Sequence, residues 1–315
     1  PSSGYRFDRW SGDAIGKDNP TDITMNRNKG VLAHFVKSYT LTANVEPLSG
    51  GSVNLNPPGG NYDEGKTVEI TAEPANGYRF DHWSGDVGGN TNPVSIRRNE
   101  NKSVAAHFVR KYTLTVNTNP LSGGNVILSP PRDEYDVNTE VELTAMPAVG
   151  YRFDHWSEDA SGNGNPTSVT MDGNKTVTAH FVRRYTLTAE VDPDNGGNVA
   201  LDPFGGTYDE GKVVKLTASA KDGYRFDRWS GDATGNNNLI EITMNSDKTV
   251  IAHFIRQYSL IANSNPTDGG NISLEPEGGI YDENTIVNLT ANVNENYRFD
   301  HWSGDTTAET TSINV

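Results

Sequence analysis

The chain has no cysteine in its 315 residues. Disulfides therefore cannot report its redox compartment, and a cysteine-free chain is compatible with a bacterial or archaeal exterior without establishing one. Long apolar runs are also missing, and none approaches the length that spans a bilayer. Basic residues are scarce, 26 against 41 acidic ones, for a formal net charge of −15. That balance denies the chain the basic stripes that nucleic-acid phosphates demand, and it favours solubility and repulsion between neighbouring chains. Apolar residues are nowhere sustained at spacings of three and four, so no helix of consequence is expected. A phosphate loop, a cofactor fingerprint and a nucleophile-plus-histidine pattern are all lacking, so the chain is expected to be neither an enzyme nor a cofactor binder.

What is present is repetition. The decapeptide Gly77-Tyr78-Arg79-Phe80-Asp81-His82-Trp83-Ser84-Gly85-Asp86 has near-copies beginning at Gly4, Gly150, Gly223 and Asn296. Its tyrosines, Tyr5, Tyr78, Tyr151, Tyr224 and Tyr297, each follow the last by 73 residues, with no insertion or deletion. A fixed period in this range marks a repeat architecture. The expected organisation is an all-β tandem array of small modules: a partial repeat over 1–38, repeats over 39–111, 112–184 and 185–257, and a second partial repeat over 258–315. Modules of this size bury only about 60% of the surface their unfolded chains expose, so each leans on its neighbours. The chain opens inside one copy and stops inside another. Both ends are therefore expected to be cut from something longer that carries any targeting or anchoring segment.

Within the repeat 39–111, Tyr39, Leu41, Ala43 and Val45 alternate with polar residues as the inward face of a first strand. Turn residues Pro47, Gly50 and Gly51 lead to a second strand over 52–56, and the Tyr62-Asp63-Glu64-Gly65 turn to a third over 66–73. Asn76-Gly77 is a hairpin signal that feeds the aromatic strand 78–83. Val94–Ile96 and Val104–Val109 complete six strands. Between repeats only three residues intervene, as at Val109, Arg110 and Lys111, and none is glycine or proline. The last strand of one module is thus expected to pass almost straight into the first of the next, which a flexible tether would not do. Rigid repetition of that joint predicts a rod or superhelix.

These motifs recur in fixed order. Examples are Tyr185–Thr188, Gly196-Gly197, Tyr208–Gly211, Leu216–Ala218, Gly223–Asp232 and Met244–Phe254. In combination, over the whole chain, they resemble the divergent B-repeat family related to internalin B. The resemblance implies modules of large secreted or surface-displayed prokaryotic proteins, serving as spacers or adhesive segments, and no catalytic residues. It also implies a β-grasp-like fold, although the periodicity here shows no helix. The role expected is a structural or adhesive stalk or surface filament, partnered by its own neighbouring repeats and by self-association. The alternative is a carbohydrate-binding array for surface glycans.

The aromatic residues decide between those readings. Trp83, Trp156 and Trp229 recur in every complete unit, as do Tyr78, Phe80, Phe108, Tyr112, Tyr151, Phe153, Phe181, Tyr185, Tyr224, Phe226 and Phe254. Residues copied into every unit most simply pack every unit. By period two, Tyr78 and Phe80 share the core face, and Arg79, Asp81 and Trp83 the other. Trp83 is then left to cap the core, meet the adjoining module or stack on a sugar, with packing the favoured use of its area. His82, His155 and His301 become Arg9 and Arg228 in the other copies. That swap argues for a cationic partner of a carboxylate such as Asp81 rather than a metal ligand. His34, His107, His180 and His253 read as one outward imidazole per module, too few for zinc. The loop after tryptophan offers calcium candidates at Asp86 and Asn92, Asp159 and Asn165, and Asp232 and Asn238. Turn chemistry explains the same residues without an ion. Asp63 and Glu64 are expected to be solvated in their turn. Lys29, Lys102, Lys175 and Lys248 are read as solvated turn lysines in preference to isopeptide crosslinks.

Overall fold

A computed structural model describes all residues, Pro1–Val315. The chain divides into two compact units, one of residues 1–146 with 153–180 and the other of 147–152 with 181–315. Both are built from strands. The only helical elements are two single 3-10 turns, Leu48–Gly50 and Leu121–Gly123, and no helix is long and apolar enough to cross a membrane.

In chain order the strands of the first partial repeat and the repeat 39–111 are β1 (Tyr5–Gly12), β2 (Val31–Glu46), β3 (Gly51–Asn56), β4 (Asn61–Asp63), β5 (Thr67–Pro74), β6 (Tyr78–Gly85), β7 (Val94–Arg97) and β8 (Lys102–Asn119). The next repeat supplies β9 (Gly124–Ser129), β10 (Glu134–Asp136), β11 (Glu140–Pro147), β12 (Tyr151–Glu158), β13 (Thr167–Thr170) and β14 (Lys175–Asp192). Then come β15 (Gly197–Asp202), β16 (Thr207–Asp209), β17 (Val213–Ala220), β18 (Tyr224–Gly231), β19 (Leu239–Thr243) and β20 (Lys248–Ser259). The last partial repeat holds β21 (Gly270–Glu275), β22 (Ile280–Asp282), β23 (Asn288–Val293) and β24 (Ser312–Asn314). The six expected strands are present. A seventh, Asn61–Asp63 and its copies, forms where a plain turn was expected.

Each repeat is a two-sheet sandwich. In 39–111, β2 and β8 pair in parallel, from Leu41 opposite Lys102 to Glu46 opposite His107. β6 pairs antiparallel with the other edge of β8. The second sheet is the antiparallel β3-β5-β7. Between them lie Leu41, Tyr62, Val68, Ile70, Ala72, Trp83, Ile96, Val104, Ala106 and Phe108. The second unit repeats this core in 185–257 with Leu187, Tyr208, Val214, Leu216, Ala218, Trp229, Ile242, Met244, Val250, Ala252 and Phe254. Alternation selects these residues, since Val68, Ile70 and Ala72 point inward from one strand while their neighbours face solvent.

The aromatic strand departs from simple alternation. Phe80 opposes Phe108 but His82 opposes His107, so Asp81 is the extra residue of a β-bulge. One inserted residue reverses the face of everything after it. Trp83 therefore lies opposite Ala106, on the Phe80 side, with the Phe80 and Trp83 ring centroids 5.2 Å apart. The expectation that Trp83 shares a face with Arg79 is overturned by this bulge, which recurs between Phe7 and Arg9 and between Phe226 and Arg228.

The joints between repeats as the candidate functional site

The residues between repeats do not form a loop. β2, of 16 residues, contains the joint Val36–Ser38, and β8, of 18 residues, contains Val109–Lys111. β20 carries Ile255–Gln257 in the same way. The joint backbone is tied on both sides. Lys111 N donates to Gly77 O at 2.8 Å in its own repeat, and Val137 N from the next repeat donates to Arg110 O at 2.9 Å. The same two bonds recur as Ser38 to Gly4 and Glu64 to Lys37, as Arg184 to Gly150 and Glu210 to Arg183, and as Gln257 to Gly223 and Glu283 to Arg256.

Side chains brace both faces of the joint. On one face Arg79 Nε and Nη2 donate to Asp136 Oδ1 and Oδ2 at 2.9 and 2.8 Å, a fork that spans two repeats. Arg79 also donates to Asp81 Oδ1 at 2.6 Å, so the bulged residue steers the fork. The pair recurs at the same separation as Arg6 with Asp63, Arg152 with Asp209 and Arg225 with Asp282. A planar guanidinium matches a carboxylate in two parallel bonds, which fixes orientation as well as distance. The guanidinium holds the carboxyls of Asp63, Asp136 and Asp282 below their ordinary range. Asp63 and its copies are thus engaged across the joint, and the expectation that they are merely solvated is corrected. Lys111 and Glu134 add a second ion pair.

On the other face a cation lies between two tyrosines. The Arg110 guanidinium is 5.4 Å from the Tyr78 ring and 5.5 Å from the Tyr112 ring, and Arg183 is 5.9 Å from Tyr151 and 5.2 Å from Tyr185. These tyrosines and Tyr224 are half-buried, and Tyr78, Tyr185 and Tyr224 also pack against the cores of their modules. Phe80, Phe153 and Phe226, on the aromatic strands, are half-buried, whereas Phe108, Phe181 and Phe254 are buried.

Trp83, Trp156 and Trp229 are each 1% exposed. Their indole N–H groups donate to Thr91 O, Gly164 O and Asn237 O at 3.1, 2.9 and 2.9 Å. The ring faces are packed, so these tryptophans offer no platform for a sugar. The loop residues are not brought together. Asp86, Asp159 and Asp232 accept from the backbone N–H of Ser103, Thr176 and Thr249, each at 2.7 Å. Asn92 instead exchanges two bonds with Ala72 at 2.8 and 2.7 Å, and Asn165 two with Ala145 at 2.8 Å. Asn238 donates to Ala218 O at 3.3 Å. Each aspartate thus serves the last strand and each asparagine the third. No group of three or more histidine or carboxylate side chains is placed to hold a metal ion. Lys102 and Lys175 lie 3.5 and 2.7 Å from Glu100 and Asp172.

Two features escape the sequence reading. His82 keeps its expected bond to Asp81, Nδ1 to Oδ2 at 2.9 Å, and His155 pairs likewise with Asp154, as do Arg9 with Asp8 and Arg228 with Asp227. But the bulge also sets His82 against His107, so the imidazole of the last strand is not alone in its module. The second feature is Arg98, fully buried where the neighbouring copies place Met171 and Met244. The substitution is visible at the period of 73 once Met25, Arg98, Met171 and Met244 are aligned.

Comparison with known proteins agrees with the internal period. The model of the divergent InlB B-repeat domain matches residues 1–38, 39–112, 112–184, 185–257 and 260–315. No curated protein matches the chain. Among solved structures, the crystal structure of the major pilin from Streptococcus pyogenes is similar at 12% identity over 79% of this chain and 89% of the pilin chain. Its TM-score of 0.12 is too low to bear on fold or role.

Proposed function

This chain belongs to the divergent InlB B-repeat family, a repeat family of bacterial surface proteins, and we propose that it serves as a stiff extracellular spacer, a non-catalytic stalk holding a functional head away from its anchor. The observation that carries this reading is the braced joint, with its unbroken strand between the Arg79–Asp136 fork and the tyrosine-flanked Arg110. A joint with no slack converts the number of repeats into length. Lys102 lies beside Leu41, and Leu114, the copy of Leu41, is 12 residues farther along the same strand (114 − 102). At roughly 3.3 Å per residue, one repeat advances the chain by about 40 Å. If every repeat adds the same step, a little over four repeats extend about 160 Å, for which a thin rod has a radius of gyration near 45 Å.

Small-angle scattering tests this. A compact domain of this length has a radius of gyration of about 20 Å. A value near 45 Å with a rod-like cross-section supports the spacer, and a value near 20 Å refutes it. Self-association into filaments is a separate outcome of the same experiment, read from any dependence of apparent mass on concentration. Glycan binding has less to recommend it, because Trp83, Trp156 and Trp229 are packed inside their own modules.

A further inference from the structure

We propose that Ser230 is a nucleophilic serine that accepts one acyl group from an activated ester, with His253 as its general base and Asp192 as the residue that positions the imidazole. Ser230 Oγ lies 2.7 Å from His253 Nε2, and His253 Nδ1 lies 2.9 Å from Asp192 Oδ2. A hydroxyl, an imidazole and a carboxylate in that order, each within hydrogen-bond reach of the next, form the arrangement that activates a serine. The three side chains come from adjacent strands of one sheet, β18, β20 and β14, with Asp192 directly opposite His253 in the parallel pair. The bulge between Phe226 and Arg228 turns Trp229 into the core, so Ser230 faces outward with His253 and is half-buried there. The His253 side chain is 18% exposed and that of Asp192 65%, so the site opens on solvent. Its members are 23 and 61 residues apart, which hides the pattern from a reading of the sequence.

Hydrogen bonding selects the tautomer. A carboxylate has no hydrogen to give, so His253 Nδ1 carries the proton and donates it to Asp192, and the lone pair on Nε2 accepts from the Ser230 hydroxyl. In the reaction the bond from Oγ to the acyl carbon forms as the hydroxyl proton passes to Nε2. The bond from the acyl carbon to the leaving oxygen then breaks, and Nε2 returns the proton to that oxygen. Nothing is oxidised or reduced, and the only co-reactant is the ester. The stalk does not depend on this chemistry, which modifies each chain once.

The chain contains its own controls. In 112–184, Ser157 Oγ is 2.8 Å from His180 Nε2, but Asn119 takes the place of Asp192 and its Nδ2 is 3.4 Å from His180 Nδ1. An amide N–H donated to Nδ1 leaves the imidazole hydrogen on Nε2, pointing at the serine, and that ring cannot take the hydroxyl proton. In 39–111, Ser84 Oγ is 2.6 Å from His107 Nε2, but Glu46 Oε2 stands 3.5 Å from Nδ1 and holds the ring less well. Reactivity therefore falls from Ser230 to Ser84 to Ser157.

Brief treatment of the full chain with 4-nitrophenyl acetate, quenched in acid and followed by peptide mass spectrometry, reads acetylation serine by serine. Ser230 is expected to gain the acetyl group on the order of 100-fold faster than Ser157. D192N should bring Ser230 down to the rate of Ser157, and N119D should raise Ser157 toward that of Ser230, a gain that a purely structural hydrogen bond would not produce. Each swap installs a residue that the chain already uses at the equivalent place, in Asn119-Pro120 and Asp192-Pro193, so the fold is preserved. No acetyl group on Ser230, equal rates at Ser230 and Ser157, or an unchanged Ser230 rate in D192N overturns the proposal.

Discussion

Replacing Arg98 by methionine is expected to stabilise the repeat 39–111. The Arg98 side chain is wholly buried, and its Nε and Nη1 have no hydrogen-bond partner. Only Nη2 is served, donating to Thr40 O and to Glu100 O. Burial accordingly pushes its proton affinity down, against a partial pull from Asp86, Tyr62 and Glu100. A buried donor without a partner costs about 1–3 kcal/mol, so two cost about 2–6. Removing the guanidinium also forfeits two bonds worth about 1 kcal/mol each. The net expectation is a gain of about 0–4 kcal/mol, centred on about 2, in line with exchanges of buried charge for well-packed apolar side chains. The shape is already tested in the chain itself, since Met171 and Met244 are fully buried at the equivalent places. Amide hydrogen exchange followed by mass spectrometry reads this repeat by repeat. R98M should slow exchange at Val68–Ala72, by roughly 30-fold at the centre of that range, with little change in 185–257. Unchanged or faster exchange would mean that the guanidinium is stabilised where it lies, and the reasoning would fail.

Glu158 has φ of 73° where the equivalent glycines, Gly12, Gly85 and Gly231, have values of 91°, 91° and 87°. A side chain built at Gly85 would meet Ser103 O at 2.4 Å. Glu158→Gly should therefore stabilise the repeat 112–184 by about 1 kcal/mol, measured by the same exchange experiment and contradicted by faster exchange there. Acid should weaken the joints. Asp136 is held by Arg79 below its unfolded value, so the contribution of the pair is complete above about pH 4 and is lost as pH falls through the lower folded value. The pair is about a third exposed, which limits it to roughly 0.5–1 kcal/mol. Asp136→Asn should lower the urea midpoint at pH 7 and leave it nearly unchanged at pH 2, and an equal loss at both would exclude the ion pair as the cause.

The period, the strands and the straight joints were legible because each rests on local patterns: alternation for strands, Gly and Pro for turns, and the lack of either at Val109–Lys111. The faces of the aromatic strand were not. Asp81 carries no mark of a bulge in its side chain, and the displacement of Trp83 and His82 follows from pairing with β8, a strand more than twenty residues away. The parallel pairing of the first and last strands of a repeat is likewise non-local. The arginine fork was hidden because its two halves, Arg79 and Asp136, belong to different repeats. Read within one copy, Asp136 is a turn residue. Read across two, it completes a joint.

The central claim is that each joint holds its two repeats at one fixed step. The absence of cysteine permits nitroxide labels at chosen sites without background, and Thr42 and its copy Thr115 are both exposed strand residues. Pulsed dipolar spectroscopy on the doubly labelled chain at neutral pH should give a single narrow distance distribution centred at about 40 Å. A broad distribution, or one centred well below that distance, would contradict the braced joint and with it the spacer.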